Sequence, residues 1–188
     1  MILSDQDILK AIQDGDINIS PFRLEFIQPA SIDLTLSSII RIFDPQNTEY
    51  IDIKEWIDTS KEIQLEENGN FLLIPDDFIL AATVENITLP NYLAARIEGR
   101  SSLGRLGLMI QASASHVAPG FSGNITLEIK NISRIPLKIY VGMRIAQIIF
   151  EVTSSPALNP YGNTNSNHKY QYQQKPTPSK LWKDFHKS

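Results

Sequence analysis

A chain of 188 residues, 42% hydrophobic and 20% charged, suits one globular domain with small appendages. Its net charge of −4 comes without a basic block, which argues against a duplex-binding surface and leaves room only for a local pocket for one polyanion. With no cysteine, disulfide frameworks and thiolate metal sites are excluded. The start lacks the charged-then-apolar pattern of a signal peptide, and no apolar run approaches the ~18 residues of a membrane helix, so the expected location is cytoplasmic.

In chain order, Ser4-Asp5-Gln6-Asp7 predicts a helix start, with Ser4 as N-cap and acids in the first turn. Ile8, Leu9, Ala11 and Ile12 form its apolar stripe, and Gly15 can end it. Short β-rich runs then dominate: Ile39 to Phe43, Phe71 to Ile74, Phe78 to Val84, Leu93 to Ile97, Ile125 to Ile132, Leu137 to Val141 and Ile145 to Val152. Asp44-Pro45-Gln46-Asn47, Pro75-Asp76-Asp77, Pro119-Gly120 and Ser122-Gly123-Asn124 read as turns. Many short strands at this spacing predict a mainly β barrel or jelly roll with few helices. Residues 1–153 are the expected β domain. Residues 154–188 are rich in Pro, Asn, Gln, Ser and Lys, and read alone as a mobile tail; the alternative is a flap that orders over a ligand.

Three segments carry candidate chemistry. Gly99 to Gly107 holds Arg100, Ser101, Ser102, Leu103, Gly104 and Arg105, residue types that bring backbone, hydroxyls and guanidinium forks to phosphate oxygens. Arg105 and Leu106 stand where a Walker loop needs Lys and Ser or Thr, so an NTPase is rejected. In Ile125 to Lys130 the aliphatics alternate with Thr126, Glu128 and Lys130, so a strand here turns Glu128 away from the core and makes it a candidate general base. Between them lies Gln111 to Phe121, rich in small residues. It includes His116, the one histidine before the tail, which reads first as structural.

Together these segments resemble the dCTP deaminase family of the dUTPase superfamily. The resemblance rests on Met1 to Asp5, Gln28 to Leu34, Arg100 to Leu108, Pro119 to Glu128, and Asn159 to Gly162 followed by Lys169 to Gln173. It implies a dUTPase-like distorted jelly roll with a short N-terminal helix. It also implies a homotrimer with active sites between subunits, dCTP and dUTP as nucleotides with dTTP as an inhibitor, and Mg2+ accompanying the triphosphate. By resemblance, Glu128 would be the proton shuttle. Ser101 and the Ala114 carbonyl would place the attacking water, with Arg105 beside it. Arg100, Ser101, Ser102, Lys169 and Gln173 would hold the triphosphate, Leu103, Gly104 and Arg105 would also bind substrate, Tyr161 would lie against the nucleotide, and Thr126, Leu127 and Glu128 would read the base. The tail would be the active-site flap. Zinc deaminases need His and Cys ligands in an H-x-E and P-C-x-x-C pattern; this chain has neither, so the expected chemistry is zinc-free.

One departure bears on the product. The family usually carries Asp where this chain has Ala118, and in dUTPases that acid contacts the sugar hydroxyl and orients the water that cleaves the triphosphate. Gln111 also stands where a histidine is frequent. The leading expectation is therefore deamination of dCTP to dUTP. A bifunctional enzyme giving dUMP and a non-catalytic nucleotide-binding regulatory protein remain as alternatives.

Overall fold

The N-terminal acids and apolar stripe fold as their pattern predicts. In the computed structural model, which describes residues 1–43, 49–164 and 168–186, helix α1 spans Asp5–Gln13. The Ser4 hydroxyl accepts the Asp7 N–H at 3.4 Å, while the Asp7 carboxylate accepts the Ser4 N–H. Ile8 is fully buried, and Gly15 beyond the helix end takes φ +81.

The described residues then form β1 Asn18–Ser20, β2 Ile27–Gln28, β3 Ser31–Phe43, β4 Ser60–Gln64, β5 Asn70–Leu73 and β6 Phe78–Thr88. They continue with β7 Leu93–Gly99, the single helical turn α2 Ser101–Gly104, β8 Leu108–Ile110, β9 His116–Val117, β10 Ser122–Asn131, β11 Leu137–Tyr140 and β12 Arg144–Val152. Ten strands join in one curled antiparallel sheet. Its main path is β8-β10-β6-β3-β12-β7-β9, with β1 on β6 and with β2 and β4 on β3; β5 and β11 pair separately. The fold is mainly β with few helices, as expected. Among the described residues no helix is long and apolar enough to cross a membrane.

The core sits inside the curl, where Leu34 and Leu36 of β3, Ile97 of β7, Leu127 of β10 and Ile148 and Phe150 of β12 are almost wholly buried. Each such side chain favours folding by about 1.5–3 kcal/mol over an exposed one. β10 shows the alternation read from the sequence: Ile125, Leu127 and Ile129 face the core, and Thr126, Glu128 and Lys130 lie on the half-buried opposite face.

The structure corrects two readings. Ser122-Gly123-Asn124 is not a turn but the start of β10, paired with Asn86 to Thr88 of β6. Its turn-like composition serves a register shift between Asn124 and Thr126, and the Asn124 amide caps the Thr83 carbonyl at 2.9 Å. Ile39 to Phe43 is only the end of the thirteen-residue β3. The Asp44 to Asn47 turn lies outside the described residues.

Among the described residues, the tail from residue 154 holds one 3-10 turn, Leu181–Asp184, yet it lies against the sheet domain. The Tyr172 N–H donates to the Ser122 carbonyl at 2.7 Å, and the Asn124 N–H donates to the Gln173 carbonyl at 2.8 Å. Near its root, the Tyr161 N–H donates to the Pro119 carbonyl at 2.7 Å. The Lys175 ammonium also meets Glu62 of β4 at 2.9 Å. These bonds supply partners that the polar tail cannot find within itself.

Candidate active site

The half-buried face of β10 forms one wall of a cavity of about 600 Å³, a volume suited to a small-molecule ligand. Ile125, Thr126 and Glu128 come from this strand. Gln111, Ala114, His116 and Ala118 come from the segment between β8 and β10. Tyr161, Tyr170, Gln173 and Thr177 of the tail close a third side. An apolar edge is made by Phe43, Ile57, Phe78 and Leu80.

Glu128 is held from two directions. Its backbone N–H donates to the Gln111 side-chain Oε1 at 2.9 Å, and its carbonyl accepts the Gln111 N–H at 3.0 Å. Its carboxylate accepts the Ser113 N–H at 3.3 Å and lies 3.4 Å from the Ser113 hydroxyl. Gln111 also donates from Nε2 to the Ala114 carbonyl at 3.2 Å. One side chain thus ties the strand bearing the carboxylate to the loop bearing the carbonyl. Gln111 does this from a left-handed backbone, φ +59, a conformation that costs a non-glycine residue about 1–3 kcal/mol. A carboxylate on the wall of a cavity is the kind of group base-assisted hydrolysis needs.

On the tail side, the Tyr161 ring packs edge-on to Phe121 at 5.7 Å and stacks on His168 at 4.1 Å. Its hydroxyl accepts the Tyr170 N–H at 3.1 Å. Gln173 donates from Nε2 to the Asn124 carbonyl at 2.8 Å, while its Oε1 is buried without a partner among the described residues. A buried acceptor left unmatched costs about 1–3 kcal/mol, so this oxygen suits a donor on a ligand. The Thr126 hydroxyl accepts the Thr177 N–H at 3.3 Å.

Of the candidate residues, Glu128, Ala114, Thr126, Tyr161 and Gln173 share this cavity. Arg100, Ser101, Ser102, Leu103, Gly104, Arg105 and Lys169 do not line it. Ser101, Ser102, Gly104 and Arg105 sit exposed on and beside α2. The Arg100 guanidinium lies 3.4 Å from the carboxylate of Asp33, which Arg144 meets from another side at 3.1 Å. Lys169 is ion-paired with Asp184. The Leu127 side chain is wholly in the core, so only its backbone can reach a ligand. The sequence reading missed the wall between β3 and β4, where Asp58 is paired with Arg41 and Ser60 follows. Nothing local marks that stretch, because it joins the cavity only through the pairing of β4 with β3. Among the described residues, no three His, Cys, Asp or Glu side chains gather to hold a metal ion.

Comparison with known proteins bears on the family and the fold. A family model described as dCTP deaminase-like matches residues 2–153. A protein of Corynebacterium glutamicum (strain R), named "dCTP deaminase, dUMP-forming", is 44% identical over 186 residues, covering 98% of each chain. A protein of the same name from Thermobifida fusca is also 44% identical over 186 residues, covering 98% of this chain and 95% of its own. The solved 2'-deoxycytidine 5'-triphosphate deaminase of Agrobacterium tumefaciens shares the fold, with TM-score 0.63 and 22% identity over 81% of this chain; the match spans 48% of that longer chain. The relatives' name overturns one expectation: dUTP as the end product, argued from Ala118, gives way, because relatives similar over nearly their whole length are named for forming dUMP. Matched over residues 2–153 by that family model, this chain belongs to the dCTP deaminase-like family of enzymes.

Proposed function

We propose that this protein hydrolyses dCTP in two steps, first releasing ammonia and then diphosphate, and leaves dUMP. The observation that carries the reading is the bracketing of Glu128 and the Ala114 carbonyl by one side chain, Gln111, on the wall of a nucleotide-sized cavity. The relatives' name supports the two-step outcome. In the first step Glu128 takes a proton from a water held near the Ala114 carbonyl. The water oxygen bonds to C4 of cytosine and that proton passes to N3; the second proton then passes from the C4 hydroxyl through Glu128 to the amine, the C4–N bond breaks, and ammonia leaves uracil. Thr126 and the backbone of Leu127 lie beside Glu128 on the same strand and would meet the base edge, and Gln173 Oε1 would accept from a ligand donor.

Ser101 and Arg105 do not line the Glu128 cavity of this chain, and they stand exposed. This supports a homotrimer in which α2 of a neighbouring copy completes the cavity and supplies Arg100, Ser102 and Arg105 to the triphosphate. Mg2+ fits as a partner of the nucleotide: with no cluster of protein carboxylates to hold it among the described residues, it would be bound through phosphate oxygens and would neutralise their charge. With no Cys in the chain, the deaminase chemistry is proposed as zinc-independent.

The test is to supply dCTP with Mg2+ and follow ammonia, diphosphate and nucleotide together. One ammonia and one diphosphate per dUMP is the expected result. Accumulating dUTP without diphosphate would overturn the second step; no ammonia would overturn the first.

A further inference from the structure

Releasing diphosphate needs a second water, directed at the α-phosphorus rather than at the base, and a group to take its proton. Among the described residues, the titratable side chains lining the cavity are Asp58, His116, Glu128, Tyr161 and Tyr170. Asp58 is spent on Arg41. The Tyr161 hydroxyl takes the Tyr170 N–H, and the Tyr170 hydroxyl takes the Lys180 N–H at 3.0 Å. Glu128 is engaged by Ser113 and belongs to the first step. Only the His116 imidazole has no hydrogen bond or ion pair among the described residues.

Its place on the strand is defined. β9 pairs with β7 through Arg96 and Ala95, and Val117 turns into the core with 6% exposure. His116 is exposed, and together with Val117 and the Ala118 that follows the strand it lines the cavity. His116 and Ala118 are two residues apart on the same cavity wall. Arg96, the cross-strand neighbour of His116, is engaged by Glu98 and Glu151 at 3.4 and 2.8 Å.

We propose that His116 is a catalytic residue of the diphosphate-releasing step, a role that rests on the two-step reading above. The imidazole accepts a proton from a water. That water's oxygen forms the bond to the α-phosphorus, and the bond from phosphorus to the oxygen bridging to the β-phosphate breaks. The electron pair departs with diphosphate, and dUMP remains. Glu128 then serves the base end and His116 the phosphate end, from different walls of one cavity.

The experiment compares the unmodified protein, His116→Gln, and the double variant His116→Gln with Ala118→Asp. With dCTP and Mg2+, ammonia and diphosphate are measured in the same reaction; dUTP is supplied separately. In His116→Gln, diphosphate released per ammonia should fall on the order of a hundredfold, with dUTP accumulating, as expected for loss of a general base. The added carboxylate at 118, on the same cavity wall, should restore much of that ratio. A role confined to folding would lower both products together and leave the ratio unchanged, and that result would overturn the proposal. So would a full ratio in His116→Gln. If the unmodified protein releases ammonia but no diphosphate, the two-step reading itself fails. If it releases both and the variant does too, only the role of His116 fails.

Discussion

Glu128 and Gln111 show how much one pair of residues decides. Glu128→Gln keeps the shape of the carboxylate and removes the proton shuttle. Ammonia release should fall roughly 10²- to 10⁴-fold while nucleotide binding, followed by calorimetry, persists. Gln111→Gly separates two effects. It relieves the strain of φ +59, so thermal stability should hold or rise. It also removes the bracket between Glu128 and Ala114, so kcat should drop at least about tenfold, as small displacements of reacting groups do. Turnover unchanged in this variant would remove Gln111 from the positioning of the site. Outside the cavity lining, the Tyr92 phenol is pushed from 10.0 up to about 12, first by its hydrogen bond to Asp16 and then by burial. The folded state therefore keeps this proton after the unfolded chain has lost it. The stabilisation is complete below pH 10 and disappears as pH rises to about 12. Stability curves of the unmodified protein and Tyr92→Phe should converge across that window.

At the scale of elements, β10 was legible from Ile125 onward, whereas of β3 only the end, Ile39 to Phe43, was. In β10 the aliphatics at 125, 127 and 129 obey strict alternation, so the face carrying Glu128 could be read directly. β3 begins with six buried positions, Ser31 to Leu36, polar and apolar alike. Its Asp33 is matched by Arg100 and Arg144, and its Thr35 by Glu85 at 2.9 and 2.7 Å. Partners fifty or more residues away turn a polar stretch into an interior strand, and no local window contains them. The joining of the cavity by the Asp58 to Ser60 stretch was hidden for the same reason. The tail depends on β10 in turn. A Cβ at Gly123 would meet the Gln173 backbone oxygen at 2.9 Å and nitrogen at 3.1 Å. Gly123→Ala should displace the tail, raising KM for dCTP while the sheet still folds. Truncation after Ser154 should weaken dCTP binding in the same direction. Unchanged affinity in both would show that the tail does not contact the nucleotide.

For the whole molecule, the separation of α2 from the Glu128 cavity makes a prediction about mixed assemblies. Glu128→Gln and Arg105→Ala should each be nearly inactive alone. Refolded together at equal amounts, about one site in four would regain both intact groups in a closed ring of randomly mixed chains. Activity should reappear to that extent. No recovery would place both groups of each site on one chain.

The bond from the Asn124 N–H to the Gln173 carbonyl has a consequence for how motion can be watched. This amide belongs to a sheet strand by sequence but to the tail by its acceptor. In hydrogen–deuterium exchange it should trade its proton whenever the tail lifts, on the timescale of a local opening. Ile129, further along the same strand, is paired with Ile79 on one side and Ile110 on the other, and should exchange only when the sheet comes apart. A single strand thus carries two clocks, and a bound nucleotide that holds the tail down should slow the first while leaving their order unchanged.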